Sequence, residues 1–218
     1  MKTMTKDQYL LSIQEDISKM IHLSLDLLKE SEDYFLNFQP ECMESILRSD
    51  ATMNAFELTI EKKGLELLAL HAPEADDLRK VIGILRAVND VERIGDLCCN
   101  IVRTTSGIEP HCCDLFGIDT LFQRVKNMLS SAAEAFLQGN MELAYYVLRQ
   151  DQVVDDLNGR IFRDSVEQIT KEPDRASICV HYLLISRYLE RIGDHATNIS
   201  ESAIFIHQGT EVKHQNHQ

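Results

Sequence analysis

The chain has no tryptophan, aromatics make up only 6% of its residues, and glycine and proline number nine and four in 218. A core without large rings must be mainly aliphatic. So few backbone breakers exclude the turn-rich pattern of sandwiches and barrels and leave long helices. Apolar runs stop after a handful of residues, far short of the ~20 needed to span a bilayer. The opening Met1-Lys2-Thr3-Met4-Thr5-Lys6 leads straight into Asp7 and Gln8, without the apolar stretch of an export signal, so a cytoplasmic location is expected. Basic residues are also scarce. The formal charge of −13 repels nucleic acid and anionic lipid and suits metal cations or basic protein surfaces. The six cysteines (Cys42, Cys98, Cys99, Cys112, Cys113, Cys179) contain no C-x-x-C spacing, and even His111 beside Cys112-Cys113 reads more readily as part of a reduced, buried thiol set than as a soft-metal site.

What the chain does contain is a repeat. Val91-Glu92-Arg93-Ile94-Gly95-Asp96 returns 98 residues later as Leu189-Glu190-Arg191-Ile192-Gly193-Asp194, and Asn100-Ile101 returns as Asn198-Ile199. Upstream, Ile46-Leu47-Arg48-Ser49-Asp50 returns as Val147-Leu148-Arg149-Gln150-Asp151 at an offset of 101. The difference of three falls in the connections that hold Pro73 and Pro173, where insertions are tolerated. Two matches in the same order indicate duplication.

Each copy reads as three helices. Leu10, Ile13, Ile17, Met20, Ile21 and Leu28 form a helical stripe in the first, which predicts a helix over 5–37. The others are expected over 41–70 and 74–105, then 115–138, 141–171 and 174–207. Thr104-Thr105-Ser106-Gly107 and Pro110 mark the break between copies. The expected fold is therefore all-α, two tandem three-helix bundles over 1–108 and 109–208, with a disordered tail over 209–218.

Helical geometry turns the repeated motif into chemistry. Residues four apart differ by about 40° around the axis, so Glu92, Asp96 and Asn100 form one oxygen-bearing ridge and Glu190, Asp194 and Asn198 another. On the preceding helix Asp50, Asn54, Glu57 and Glu61 share an arc of about 60°. Their counterparts are Asp151, Asp155, Asn158 and Phe162. Crowded carboxylates repel, and a hard cation reverses that cost, since magnesium, manganese and iron favour oxygen ligands. One multi-carboxylate metal site per copy is the expectation. The simpler reading is a solvated acidic face with Arg93 and Arg191 as surface ion pairs worth ~0–1 kcal/mol. Solvation alone does not call for the same letters twice, nor for Gly95 and Gly193 inside helices at ~1 kcal/mol each. Those glycines point to close helix approach.

The stretch L-E-R-I-G-D-H-A-x-N-I from Leu189 to Ile199 resembles the signature of the PhoU proteins, bacterial regulators of phosphate uptake, and Asp50-x-x-Met-Asn54-x-x-Glu57 is similar to that family's D-x-x-V-N-x-x-E. The resemblance covers both copies, in order. It implies two three-helix bundles related by a pseudo-twofold axis. It also implies metal binding, with iron, manganese, magnesium or zinc as candidates, at Glu92, Asp96, Glu190 and Asp194 and the facing Asp50, Asn54, Asp151 and Asp155. The implied partners are the ATPase subunit of the phosphate-specific ABC transporter and the phosphate sensor histidine kinase. The implied role is to keep the phosphate-starvation response off when phosphate is plentiful, at the inner face of the membrane through those partners and without catalysis. Association as a homodimer is compatible with the long helices and is not specified by them. Asn158 and Phe162 depart from the pattern, so the two sites are expected to differ.

The competing classes are a metal-dependent enzyme and a metal store. A di-iron bundle needs inward E-x-x-H pairs, and Glu211 to His214 in the tail is the one such spacing. There is no H-E-x-x-H, G-x-S-x-G or G-x-x-x-x-G-K. His195 follows Asp194 but points about 100° away from it, as a neighbour rather than a ligand.

Overall fold

The computed structural model describes residues 4–38, 40–107 and 116–212, the side chains of 40–42 excepted. Six helices run through them: α1 (Lys6–Asn37), α2 (Pro40–His71), α3 (Ala75–Thr105), α4 (Ile118–Gln138), α5 (Met141–Lys171) and α6 (Ala176–Gln208). No strand occurs among the described residues. The ends follow local chemistry. Thr5 and Gln8 exchange side-chain and backbone hydrogen bonds in a capping box that opens α1. Gly139, at φ +74°, closes α4, and its N–H donates to the Ala135 carbonyl. The next residue, Asn140, caps α5 by accepting from the Leu143 N–H, so two residues suffice to reverse the chain. A single 3₁₀ turn (Pro173–Arg175) precedes α6.

The helices form two three-helix bundles, α1–α3 and α4–α6, in pseudo-twofold relation. Within each bundle all three helices touch, and across the junction α3 packs along α6 while α1 touches α4. The result is a layer of four helices in the order α2, α3, α6, α5, backed by α1 and α4. The core is aliphatic, as the composition requires: Ile13, Ile17, Ile46, Ile60, Leu67, Val88, Ile94, Leu129, Val147, Ile161 and Ile192 are all but inaccessible to water. Cys98, Cys99 and Cys179 are buried free thiols. The side chains of Cys42, His111, Cys112 and Cys113 lie outside the described residues.

Polar groups also tie the bundles together. Buried Glu32 on α1 accepts from Gln123 Nε2 on α4 at 2.9 Å and pairs with Lys126. Of the tail expected from 209 onward, 209–212 are described and lie against α3, where Glu211 pairs with Arg86 at 3.1 Å. Residues 213–218 lie outside. Among the described residues no helix is long and apolar enough to cross a membrane.

A candidate metal centre in each copy

The motif E-R-I-G-D lies along the inner helix of each bundle. Ile94 and Ile192 turn into the core, Arg191 turns to solvent, and Glu92 and Glu190 enter the groove against α2 and α5, each only 8% exposed. The glycines set how close the paired helices come. A Cβ on Gly95 would stand 3.2 Å from Met53 Cγ of α2, tighter than an ordinary contact, and one on Gly193 would stand 3.4 Å from Val154 Cγ1 of α5. Close approach is therefore real at both motifs and tight only at the first.

In the second copy the structure brings three of the expected carboxylates together. One ligand oxygen each from Asp151, Asp155 and Asp194 lie within 4.8 Å of one another. Glu190 stands beside them. Its Oε1 accepts from Arg187 at 2.5 Å, while its Oε2 is buried without a hydrogen-bond partner. Burial first, then the charge of Asp194, against the attraction of Arg187, pushes the Glu190 carboxyl up to about 7. Asp194 is also raised, by burial and then by Asp151 and Asp155. Two carboxyl groups, Glu190 and Asp194, resist ionisation beside two further aspartates, an electrostatic state that a bound cation relieves.

The first copy is built from the same positions with a different balance. Asp50, Glu57 and Glu92 are all raised, burial leading in each case, followed by Asp96 for Asp50 and Glu92 and by Glu61 for Glu57. Asn54 stands where the second copy has Asp155 and is exposed. Arg93 folds over the cluster, with Nη1 2.9 Å from Asp96 Oδ2 and Nε 3.5 Å from Glu92 Oε2. The chain thus supplies its own cation to the first groove. Among the described residues its counterpart Arg191 makes no ion pair, and in the second groove Arg187, one turn earlier, pairs with Glu190.

The expected ridges hold except at their far ends. Asn198 does not join Glu190 and Asp194; its Nδ2 donates to Asp90 on α3 at 2.9 Å. Asn100 accepts from Arg103. Asn158 accepts from Ser186 at 3.0 Å, which pins α5 to α6, and Phe162 is exposed. His195 also turns to Asp90, Nδ1 to Oδ1 2.9 Å. Two contributors escaped sequence reasoning. Thr197 donates to Asp151 Oδ1 at 3.2 Å, and Arg187 pairs with Glu190. Their spacing three residues after Asp194 and three before Glu190 was the available signal.

The donor set in the second groove is oxygen only, which fits magnesium, manganese or iron better than zinc, whose sites are usually built on nitrogen and sulfur. Cys99, near the first cluster, is held protonated by burial, its thiol pushed up to about 11, and is no ligand in that state. Glu190 Oε2, buried without a hydrogen-bond partner, is the kind of atom a resident cation would satisfy.

Comparison with known proteins agrees with this architecture. The PhoU domain family matches the chain twice, over 17–105 and 118–203. A phosphate-specific transport system accessory protein PhoU homolog of Thermotoga maritima is 31% identical over 204 residues, covering 92% of this chain and 88% of its own. A similarly named protein of Aquifex aeolicus is 31% identical, covering 93% and 92%. The crystal structure of PhoU from Pseudomonas aeruginosa superposes with a TM-score of 0.88 at 26% identity, over 94% of this chain and 100% of that one.

Proposed function

The chain belongs to the PhoU family, and from that premise we propose that it is a non-catalytic regulator of phosphate uptake that couples a phosphate-specific ABC transporter to a phosphate sensor histidine kinase. In this reading it is cytoplasmic, held at the inner face of the membrane through the transporter ATPase and the kinase, and works as a homodimer. It keeps the phosphate-starvation response off while phosphate is abundant. The relatives, phosphate-specific transport system accessory proteins matched over nearly their whole length, support the link to phosphate transport.

The metal is part of the same proposal. Asp151, Asp155, Asp194 and Glu190 would hold a hard cation in the second groove, and Asp50, Asn54, Glu92 and Asp96 a weaker one in the first. The single observation that carries this is the convergence of three carboxylates within 4.8 Å beside a buried carboxylate oxygen without a hydrogen-bond partner. The metal would neutralise the groove and set the charge that a partner meets. Two measurements test the proposal. Deletion in the source organism should raise phosphate-scavenging gene expression in phosphate-rich medium, and unchanged expression counts against the regulator. Protein purified without chelator or His-tag should carry stoichiometric metal by mass spectrometry. A variant with Glu92, Asp96, Glu190 and Asp194 changed to Ala should carry none.

A further inference from the structure

The acidic groove of the second copy does not end in water-loving residues. On α5, Asp151, Asp155, Phe162 and Val166 share an arc of about 60°, with Val166 about 16 Å along the axis from Asp155. Phe162 is 58% exposed and Val166 46%. On α6, Val180 lies within about 40° of Asp194 around the axis and is 46% exposed. The Ser186–Asn158 hydrogen bond joins the two helices between the acidic and the apolar ends. One groove therefore presents carboxylates at one end and three exposed apolar side chains, Phe162, Val166 and Val180, at the other. The first copy repeats the theme on α2, where Leu58 and Leu65 are 67% and 63% exposed, but has Glu61 in place of Phe162.

Resting on the regulatory reading, we propose that the α5/α6 groove is the docking surface for an amphipathic helix of a partner protein whose apolar stripe covers Phe162, Val166 and Val180 and whose basic end meets Asp151, Asp155 and Asp194. Charge selects this occupant. Anionic lipid and nucleic acid are repelled by the acidic end. A second copy of this chain would set the carboxylates against carboxylates or against apolar side chains, and either arrangement buries them without a cation. A helix laid lengthwise satisfies both ends, as amphipathic helices do in hydrophobic grooves. The partner and a bound metal then draw on the same carboxylates, which makes docking responsive to the metal state of the groove.

The test is done in chelator, so that its outcome is independent of metal binding and of the deletion phenotype. The probe is a synthetic 18-residue peptide with leucines on one stripe and three lysines at one end, titrated with the full chain by fluorescence anisotropy. A control peptide has glutamates in place of the lysines. The expected result is binding of the lysine peptide that falls at least ~10-fold with the glutamate peptide, and at least ~10-fold in the double variant Phe162→Asp, Val166→Asp. Val180→Asp, on the other helix, should weaken it in the same direction. These substitutions make the protein more acidic, so unspecific attraction would strengthen instead. Unchanged or tighter binding in the variants overturns the proposal. So does sedimentation showing a dimer that Phe162→Asp dissociates, because a second copy would then cover the face.

Discussion

Asp90 and His195, 105 residues apart, meet at the junction of the two copies with Nδ1 2.9 Å from Oδ1, and Asn198 donates to the same oxygen from one turn further along α6. The bond breaks the internal symmetry. At the repeat offset of 98, Tyr188 stands in the place of Asp90 and Leu97 in the place of His195. Polar ties thus join the bundles on both sides, at Asp90 and Arg86 between α3 and the α6 end of the chain and at Glu32 between α1 and α4.

Asp90→Ala should therefore leave two partly buried donors without their acceptor and lower stability by ~1–3 kcal/mol. Urea unfolding measures it. An unchanged midpoint would mean that water replaces the carboxylate at no cost.

The unequal grooves predict unequal metal binding. Titration of metal-free protein with Mn²⁺ should show one tight site, abolished by Asp194→Asn or Asp155→Asn and retained in Asp96→Asn. Arg93→Gln should create a second, because it removes the guanidinium from Asp96 and Glu92. Calorimetry reads both. Equal affinities in the parent chain would refute the role given to Arg93.

Thr197 orients Asp151 without reaching the cluster itself. Thr197→Val keeps the volume, removes the donated hydrogen bond, and should weaken Mn²⁺ binding ~10-fold or more. The far-ultraviolet spectrum should not change.

Glu190 makes the metal-free protein sensitive to pH in a defined direction. Its folded carboxyl lies near 7 against an ordinary 4.5, so between those values the native state holds a proton that the unfolded chain has lost. That contribution is fully present below about 4.5 and is lost as pH rises through about 7. It amounts to about 3 kcal/mol at most. Metal-free protein should thus lose this contribution between pH 5 and pH 8, and Glu190→Gln should remove most of that loss. Mn²⁺ should reverse the trend, since binding requires the deprotonated groups. Thermal melts across that range, with and without metal, decide the matter.

Two glycines should respond oppositely to a methyl group. A Cβ on Gly83 would stand 2.3 Å from Ile206 Cγ1 across the α3–α6 interface, so Gly83→Ala should cost ~1–3 kcal/mol. At Gly193 the same methyl meets Val154 at ordinary contact distance, and Gly193→Ala should be neutral or stabilise by up to ~1 kcal/mol. Denaturant midpoints of the two variants give the comparison.

Helix positions were legible because apolar spacing, capping residues and loop glycines are local. The expected 141–171 coincides with α5, and 5–37 lies one residue from α1. Duplication was legible because the two copies still share letters. The far ends of the acidic ridges were misread. A 100° rotation per residue places Asn198 on the ridge of Asp194, but α3 stands beside that side of α6, and the Asp90 carboxylate on it gives Asn198 a better partner than the groove does. Likewise, nothing local tells Arg93 to fold onto Asp96 while Arg191 stays in solvent.

By itself the sequence determined six helices, their grouping in threes and the faces that carry carboxylates, because periodicity, caps and repetition act over a few residues or recur in the same order. Tertiary structure alone decided which carboxylates converge. Asp151 and Asp155 come near Asp194 only because α5 lies against α6 at Val154 and Gly193, and Glu190 loses its water only because that groove closes over it. Whether an acidic helix face is merely solvated or forms a cation site depends on distances between helices, and burial and mutual repulsion set the charge state of the groups once those distances are in place.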